Sequence, residues 1–192
     1  MKFVYNKTWI IFVAPEQQGK TYQTKRLINY AIKKGKLTED KLNILDPNDI
    51  YKEYENAERI VLPIQYLTPG ALDECILYMR SKPNCLNVLD DVDVFLKTGW
   101  ESTEIDNLGK TIKQQNIGGI LHTHRAKFFN SRIYGICDYV MVGYNLNATD
   151  INHLYENAGL DKELYSTLKP REFILIPQLD KKQQKRITDL GE

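Results

Sequence analysis

Cysteine is scarce in this sequence. Cys75, Cys85 and Cys137 are the three present, and no two stand at a C-x-x-C spacing. That pattern fits reduced, buried thiols in a cytosol-like compartment better than a disulfide framework. Long apolar runs are also missing. The longest near the start, Trp9 to Ala14, is far below the ~20 residues that a membrane span needs, and no small-residue cleavage site follows it. The reading is an intracellular, soluble protein without a membrane span. Nor is there an excess of one charge: 26 Lys plus Arg stand against 25 Asp plus Glu, so no global field draws the chain to nucleic acid or lipid. Any contact with a polyanion must be local. No internal repeat or low-complexity tract interrupts the 192 residues.

With 42% hydrophobic residues, the chain is long enough for one well-buried core and short for two. Residues 1–178 read as a single domain. Residues 179–192, which include Asp180 to Arg186 (DKKQQKR), read as a polar tail or surface helix. Short apolar runs alternate with helical patterns, the signature of an α/β fold with a largely parallel sheet. The expected strands are Trp9 to Val13, Leu42 to Leu45, Arg59 to Leu62, Leu86 to Leu89, Gly118 to His122, Tyr139 to Val142 and Phe173 to Ile176. Between them, Leu27, Ile28, Ala31 and Ile32 repeat at helical spacing before Gly35. Thr68-Pro69 reads as an N-cap and first helical residue, opening a helix through Met79. Thr103 with Asp106 resembles a capping box ahead of Ile105, Leu108 and Ile112. Asn147 caps a helix whose Ile151, Leu154, Tyr155 and Ala158 share one face before Gly159 stops it.

The chemistry is concentrated in Ala14 to Thr21, A-P-E-Q-Q-G-K-T. This nearly spells the phosphate cradle G-x-x-x-x-G-K-[ST], whose backbone N–H groups wrap the phosphates, whose lysine reaches the terminal ones and whose hydroxyl binds Mg²⁺. Gly19, Lys20 and Thr21 are intact. The first glycine serves a tight turn, and alanine is the smallest alternative. The match also follows an apolar strand and opens an amphipathic helix, the setting that the motif requires. Gln17, Gln18, Gly19, Lys20, Thr21 and Tyr22 are therefore the candidate nucleotide-binding residues, with ATP and Mg²⁺ as cofactors. A second apolar strand ends in acid, Leu86 to Asp91 (LNVLDD). Asp90 is placed to hold Mg²⁺ together with Thr21, and Asp91 to orient or deprotonate an attacking water. Asp93 could substitute for Asp91 or simply cap a turn.

Two strand-like segments separate the loop from the acidic strand, which leaves room for another strand between them in the sheet. The strand Gly118 to His122 runs into His122-Thr123-His124-Arg125. A polar side chain there can touch both the γ-phosphate and the attacking water, and His124 is favoured for that role. A zinc site is a poor alternative, because His122 and His124 lack obvious partners and His153 lies well downstream.

Three further stretches complete a pattern: "GGILHTHR", "SRIYGICDYVMVGYNLNATDINHL" and "LKPREFILIP". With the two nucleotide motifs they resemble the FtsK–HerA superfamily of P-loop DNA-pumping ATPases, above all its small single-domain viral genome-packaging members. Cys137-Asp138-Tyr139-Val140 and Arg171-Glu172-Phe173-Ile174 stand where that family has a C-D-x-[VI] strand and a final strand. The departures are Ala14 for glycine, Asp91 for a catalytic glutamate and His124 for a sensor glutamine. The resemblance implies a three-layer P-loop NTPase of the RecA-like (ASCE) type. It also implies a homo-oligomeric ring, hexamer or pentamer, with an arginine of one subunit completing its neighbour's site. Arg125 and Arg132 are the candidates for that arginine, with Arg80 and Arg59 held open. Its implied partners are double-stranded DNA and a capsid vertex or portal protein, in the host cytoplasm and transiently at the virion vertex.

A sequence-blind DNA motor should touch phosphates. Lys97 with Trp100, and Lys127 to Arg132 (KFFNSR), are the segments available. Two other readings compete. A nucleoside or nucleotide kinase needs an arginine-rich lid, and no such cluster lies between the acidic strand and the His122 strand. An ATP-dependent phage-assembly switch commonly carries a membrane span.

Overall fold

The computed structural model describes residues 3–96, 104, 107, 116–129 and 131–188. Among them runs one eight-stranded sheet of β1 (Trp9–Val13), β2 (Leu42–Leu45), β3 (Glu58–Ile60), β4 (Leu86–Leu89), β5 (Gly118–Thr123), β6 (Tyr139–Gly143), β7 (Phe173–Pro177) and β8 (Lys185–Ile187). Their spatial order is β3-β2-β4-β5-β1-β6-β7-β8. The first six strands are parallel, and β7 and β8 close one edge in antiparallel register. The helices are α1 (Lys20–Lys33), α2 (Pro69–Arg80), α3 (Ser131–Ile136), α4 (Ala148–Ala158) and α5 (Lys162–Ser166).

β1 shows why the sheet sits where it does. Its five residues, WIIFV, are all buried, as expected of a central parallel strand covered on both faces. Alternation sends Trp9, Ile11 and Val13 into one apolar cluster with α2, α3 and α4. Ile10, Phe12 and Ala14 enter the other, with Leu27, Ile28 and Ala31 of α1. The result is the α/β/α three-layer arrangement of a RecA-like P-loop fold. Close approach is built in at Gly119, opposite Trp9 in the β1–β5 register, where a Cβ would stand 2.3 Å from the indole. That indole donates its Nε1–H to the Ile117 carbonyl at 2.7 Å.

The helix signals behave as their chemistry requires. The Thr68 hydroxyl accepts from Ala71 N, with Pro69 opening α2. The Asn147 side chain accepts from Asp150 N, and Gly159 ends α4 at φ 78°. Two expectations need correcting. Tyr155 is 56% exposed and lies off the buried face of α4, which Leu154, Ala158 and the carboxylate of Asp150 occupy. The polar segment after residue 179 was expected as tail or surface helix, yet Lys185–Ile187 forms β8 against β7. An edge strand is held by backbone pairing, so it needs no apolar run; Ile187 alone of the three packs on a core cluster. The Thr103–Asp106 capping box with its Ile105, Leu108 and Ile112 stripe, and Lys97 with Trp100, lie outside the described residues. No helix among the described residues is long and apolar enough to cross a membrane.

Candidate active site

The loop leaves β1 through Ala14, whose N–H donates to the Thr123 carbonyl at 3.1 Å. Ala14 has no positive φ, so the position does not demand glycine. Its methyl fits because the facing residue at the end of β6 is Gly143, where a Cβ would come within 2.5 Å of the Ala14 Cβ. Left-handed residues at Gln17 (φ 60°) and Gly19 (φ 93°) curl the loop as in phosphate-binding nests, and Gly19 is the N-cap of α1. Lys20, 6% exposed, donates from Nζ to the carbonyls of Ala14 (2.7 Å) and Pro15 (3.2 Å) and lies 3.9 Å from Asp91 Oδ1. Burial lowers its pKa, offset in part by the charges of Asp91, Asp93, Asp90 and Glu16.

The acids arrive from β4, two strands from β1, because β5 lies between. Asp90 is 1% exposed. Its Oδ1 accepts from His122 Nδ1, and the same imidazole bonds the Thr24 hydroxyl of α1 through Nε2 at 2.7 Å. A buried chain Thr24–His122–Asp90 thus ties the loop helix to the acidic strand across β5. Asp90 Oδ2 is buried with no hydrogen-bond partner. An unpartnered carboxylate oxygen of this kind is a donor that suits a small hard cation such as Mg²⁺.

Asp91 follows in a left-handed conformation (φ 43°). Its Oδ2 accepts from Asn48 Nδ2 at 3.0 Å, and its Oδ1 lies 3.2 Å from His124 Nε2. His124 Nδ1 is 3.1 Å from Asp93 Oδ2, and its backbone N–H donates to Asp93 Oδ1 at 3.1 Å. The hydrogen bonds to Asp91 and Asp93 push the His124 pKa up to about 9 against the effect of burial. Burial would raise the Asp91 carboxyl, but the hydrogen bond and charge of His124, with the charge of Lys20, hold it below the usual carboxylate range. Near neutral pH the triad is therefore a cation clamped between two carboxylates. Asp91, Asp93 and His124 also lie close enough together for one metal ion, but a doubly protonated imidazole has no lone pair to offer. The histidines do not converge on zinc, since His122 bonds Thr24 and Asp90 while His153 bonds the Phe129 carbonyl.

These groups border a cavity of about 780 Å³ lined by Glu16 through Gln23, Asp91, His124, Arg171 and Thr188, within the size range of small-ligand sites. Gln17, Gln18, Gly19, Lys20, Thr21, Tyr22, Asp91 and His124 thus meet in one place, with buried Asp90 beneath. Arg125 and Arg132 do not line it: Arg125 Nε is bonded to the buried Asp150 at 2.8 Å, and Arg132 lies on α3. Arg59 pairs with Asp46 and Asp49, and Arg80 with Glu104. Of the expected DNA segment, Phe129 is fully buried against Tyr134, while the Lys127 ammonium lies over the partly buried Phe128 ring. Sequence reasoning missed His122 as a structural link, Asn48 and Tyr51 after β2, and the cavity residues Arg171 and Thr188. The C-terminal edge carries Thr188, whose carbonyl accepts from Gln23 Nε2 at 2.9 Å.

Neither a protein-family model nor a curated protein matches the sequence. Solved structures do match the fold. The chain is similar to B204, the DNA-packaging ATPase from Sulfolobus turreted icosahedral virus, with TM-score 0.77 and 15% identity over 98% of this chain and 100% of that one. It is similar to the genome packaging NTPase B204 from Sulfolobus turreted icosahedral virus 2 in complex with AMPPCP, with TM-score 0.75 and 16% identity over 96% and 99%. The pCW3 conjugation coupling protein TcpA with ATPγS gives TM-score 0.65 and 14% identity over 100% of this chain and 63% of that one. At such identities the likeness establishes a common fold.

Proposed function

We propose that this chain is a Mg²⁺-dependent ATPase that translocates double-stranded DNA, and that the DNA is a viral genome being packaged. The observation that carries the catalytic part is the convergence of Lys20, Thr21, Asp90, Asp91 and His124 on one cavity, from a loop and two other strands that only this strand order brings together. Loop N–H groups and Lys20 bind the phosphates. Thr21 and Asp90 hold the cation, which neutralises charge developing on the transferred phosphoryl group. Asp91 orients the attacking water, and His124, as imidazolium clamped by Asp91 and Asp93, sets positive charge beside the phosphates and links the reaction to β5. The DNA and packaging parts are supported by the likeness to B204 and TcpA, described as a DNA-packaging ATPase and a conjugation coupling protein. On this reading the chain works as a homo-oligomeric ring. An arginine such as Arg132 or Arg125 then completes a neighbour's site, and a capsid vertex or portal protein is the docking partner.

The test is ATP hydrolysis by the purified protein with and without linear double-stranded DNA. The expected result is DNA-stimulated turnover that Lys20→Ala and Asp91→Asn both abolish. Turnover indifferent to DNA, with phosphate transferred to a nucleoside, would overturn the proposal in favour of a kinase.

A further inference from the structure

β2 ends at Leu45, and the chain then folds back over the tip of the sheet. Asp46, fully buried, organises this turn: its Oδ1 accepts from Ile50 N and its Oδ2 from Tyr51 N, both at 2.9 Å. Arg59 pins the turn from β3 by bonding Asp46 at 3.3 Å and Asp49 at 2.8 Å. The same turn delivers Asn48 to Asp91. Tyr51 is thereby fixed with no exposed surface, its ring beside Tyr54 and 5.2 Å from the Lys25 ammonium.

The Tyr51 hydroxyl lies alongside Asp90 and Asp91 and reaches the Thr21 side chain only by a long hydrogen bond, with no partner at close range. Among the described residues only four buried side-chain atoms lack a partner, and two of them, Tyr51 Oη and Asp90 Oδ2, belong to this corner. A buried hydroxyl left unpaired opposes folding, and phenylalanine would fill the same volume without that cost. Packing therefore accounts for the ring and not for the oxygen.

We propose that Tyr51 is a positioning residue for the metal–nucleotide complex, its hydroxyl hydrogen-bonding within the hydration shell of the cation bound by Thr21 and Asp90. This rests on the Mg²⁺-nucleotide reading of the site. Tyr51 acts through that shell and takes no part in bond making, so its signature is in cation-dependent binding. The turn after β2 then serves the site twice, with Asn48 on the carboxylate that orients water and Tyr51 on the cation side.

The experiment titrates a fluorescent non-hydrolysable ATP analogue into wild type and Tyr51→Phe, once with Mg²⁺ and once with EDTA, and follows Mn²⁺ binding in the presence of the analogue by electron paramagnetic resonance. Tyr51→Phe is expected to fold with unchanged or raised stability. It should weaken Mg²⁺-dependent nucleotide affinity and Mn²⁺ affinity about tenfold while leaving binding in EDTA unchanged. Equal Mg²⁺-dependent affinities in the two proteins would overturn the role of Tyr51 and leave the nucleotide reading standing. So would a loss of stability in the nucleotide-free variant, which would make the hydroxyl structural. A wild type that shows no Mg²⁺-dependent nucleotide binding would overturn both.

Discussion

The His124 clamp makes a quantitative claim about stability. The imidazole is 19% exposed and lies within about hydrogen-bonding distance of Asp91 and Asp93. A histidine with a pKa near 6.5 in the unfolded chain and about 9 in the folded one contributes about 3 kcal/mol to folding when protonated in both states. Because the folded pKa is the higher one, the folded state binds more protons between these values, and stability falls as pH rises. The contribution is complete below 6.5 and is lost through about 9. Lys20 works in the opposite direction: its folded pKa is lowered, so its unfolded form binds more protons and its effect raises stability with pH. Comparison with His124→Gln removes the Lys20 effect to first order. Urea unfolding of both nucleotide-free proteins from pH 6 to pH 9.5 should therefore show a difference that is largest at pH 6 and shrinks by roughly 3 kcal/mol across the window. A difference that stays flat would mean that the folded protein holds a neutral imidazole, and the clamp would not be an ion pair.

Three further changes probe the frame that holds the site. Gly143→Ala should cost about 1–3 kcal/mol by overpacking and weaken nucleotide binding, because the new Cβ would stand 2.5 Å from that of Ala14; Ala14→Gly in the same chain should recover most of both losses in a double-mutant cycle of denaturation and binding. Gly119→Ala drives a Cβ into the buried Trp9 indole, whose Nε1–H is held by Ile117, and thermal unfolding should register a loss of about 3 kcal/mol or an insoluble protein. Asp138→Ala leaves the Trp9 N–H without the Oδ2 acceptor it meets at 2.8 Å. A loss of about 1–3 kcal/mol is expected in urea titrations, and a neutral outcome would show that the N–H finds another acceptor.

How much of this was legible in the sequence depended on whether the signal was local. β1, β2 and β4 appear at the expected residues because each is a short apolar run buried on both faces. The Thr68 and Asn147 caps are readable because their bonds close within three residues. β8 was not readable: Lys185 and Arg186 are exposed, and the strand exists because β7 offers an open edge. The same limit applies inside the site. Gly19, Lys20, Thr21 and the two acids are written in motifs, whereas Thr188 reaches the cavity, and Asn48 the Asp91 carboxylate, from chain segments with no motif of their own. His122 and His124 look equivalent in H-T-H. The strand end separates them: β5 stops at Thr123, so the first is buried within the strand between Thr24 and Asp90 and the second lies beyond it between Asp91 and Asp93.

The three residues that depart from the motifs the sequence resembles each have a local counterpart in the structure. Alanine at the first loop position is matched by Gly143, the residue whose own Cβ would occupy the same space. Aspartate at position 91 is one methylene shorter than glutamate. It is met by a left-handed backbone and is held from two sides by Asn48 and His124. Histidine at position 124 brings a charge that glutamine lacks, and Asp93 is present to balance it. The counterparts come from the end of β6, the turn after β2, the β4 tip and the β5 tip. Changing one partner alone, such as His124→Gln beside an unaltered Asp93, should therefore impair the site.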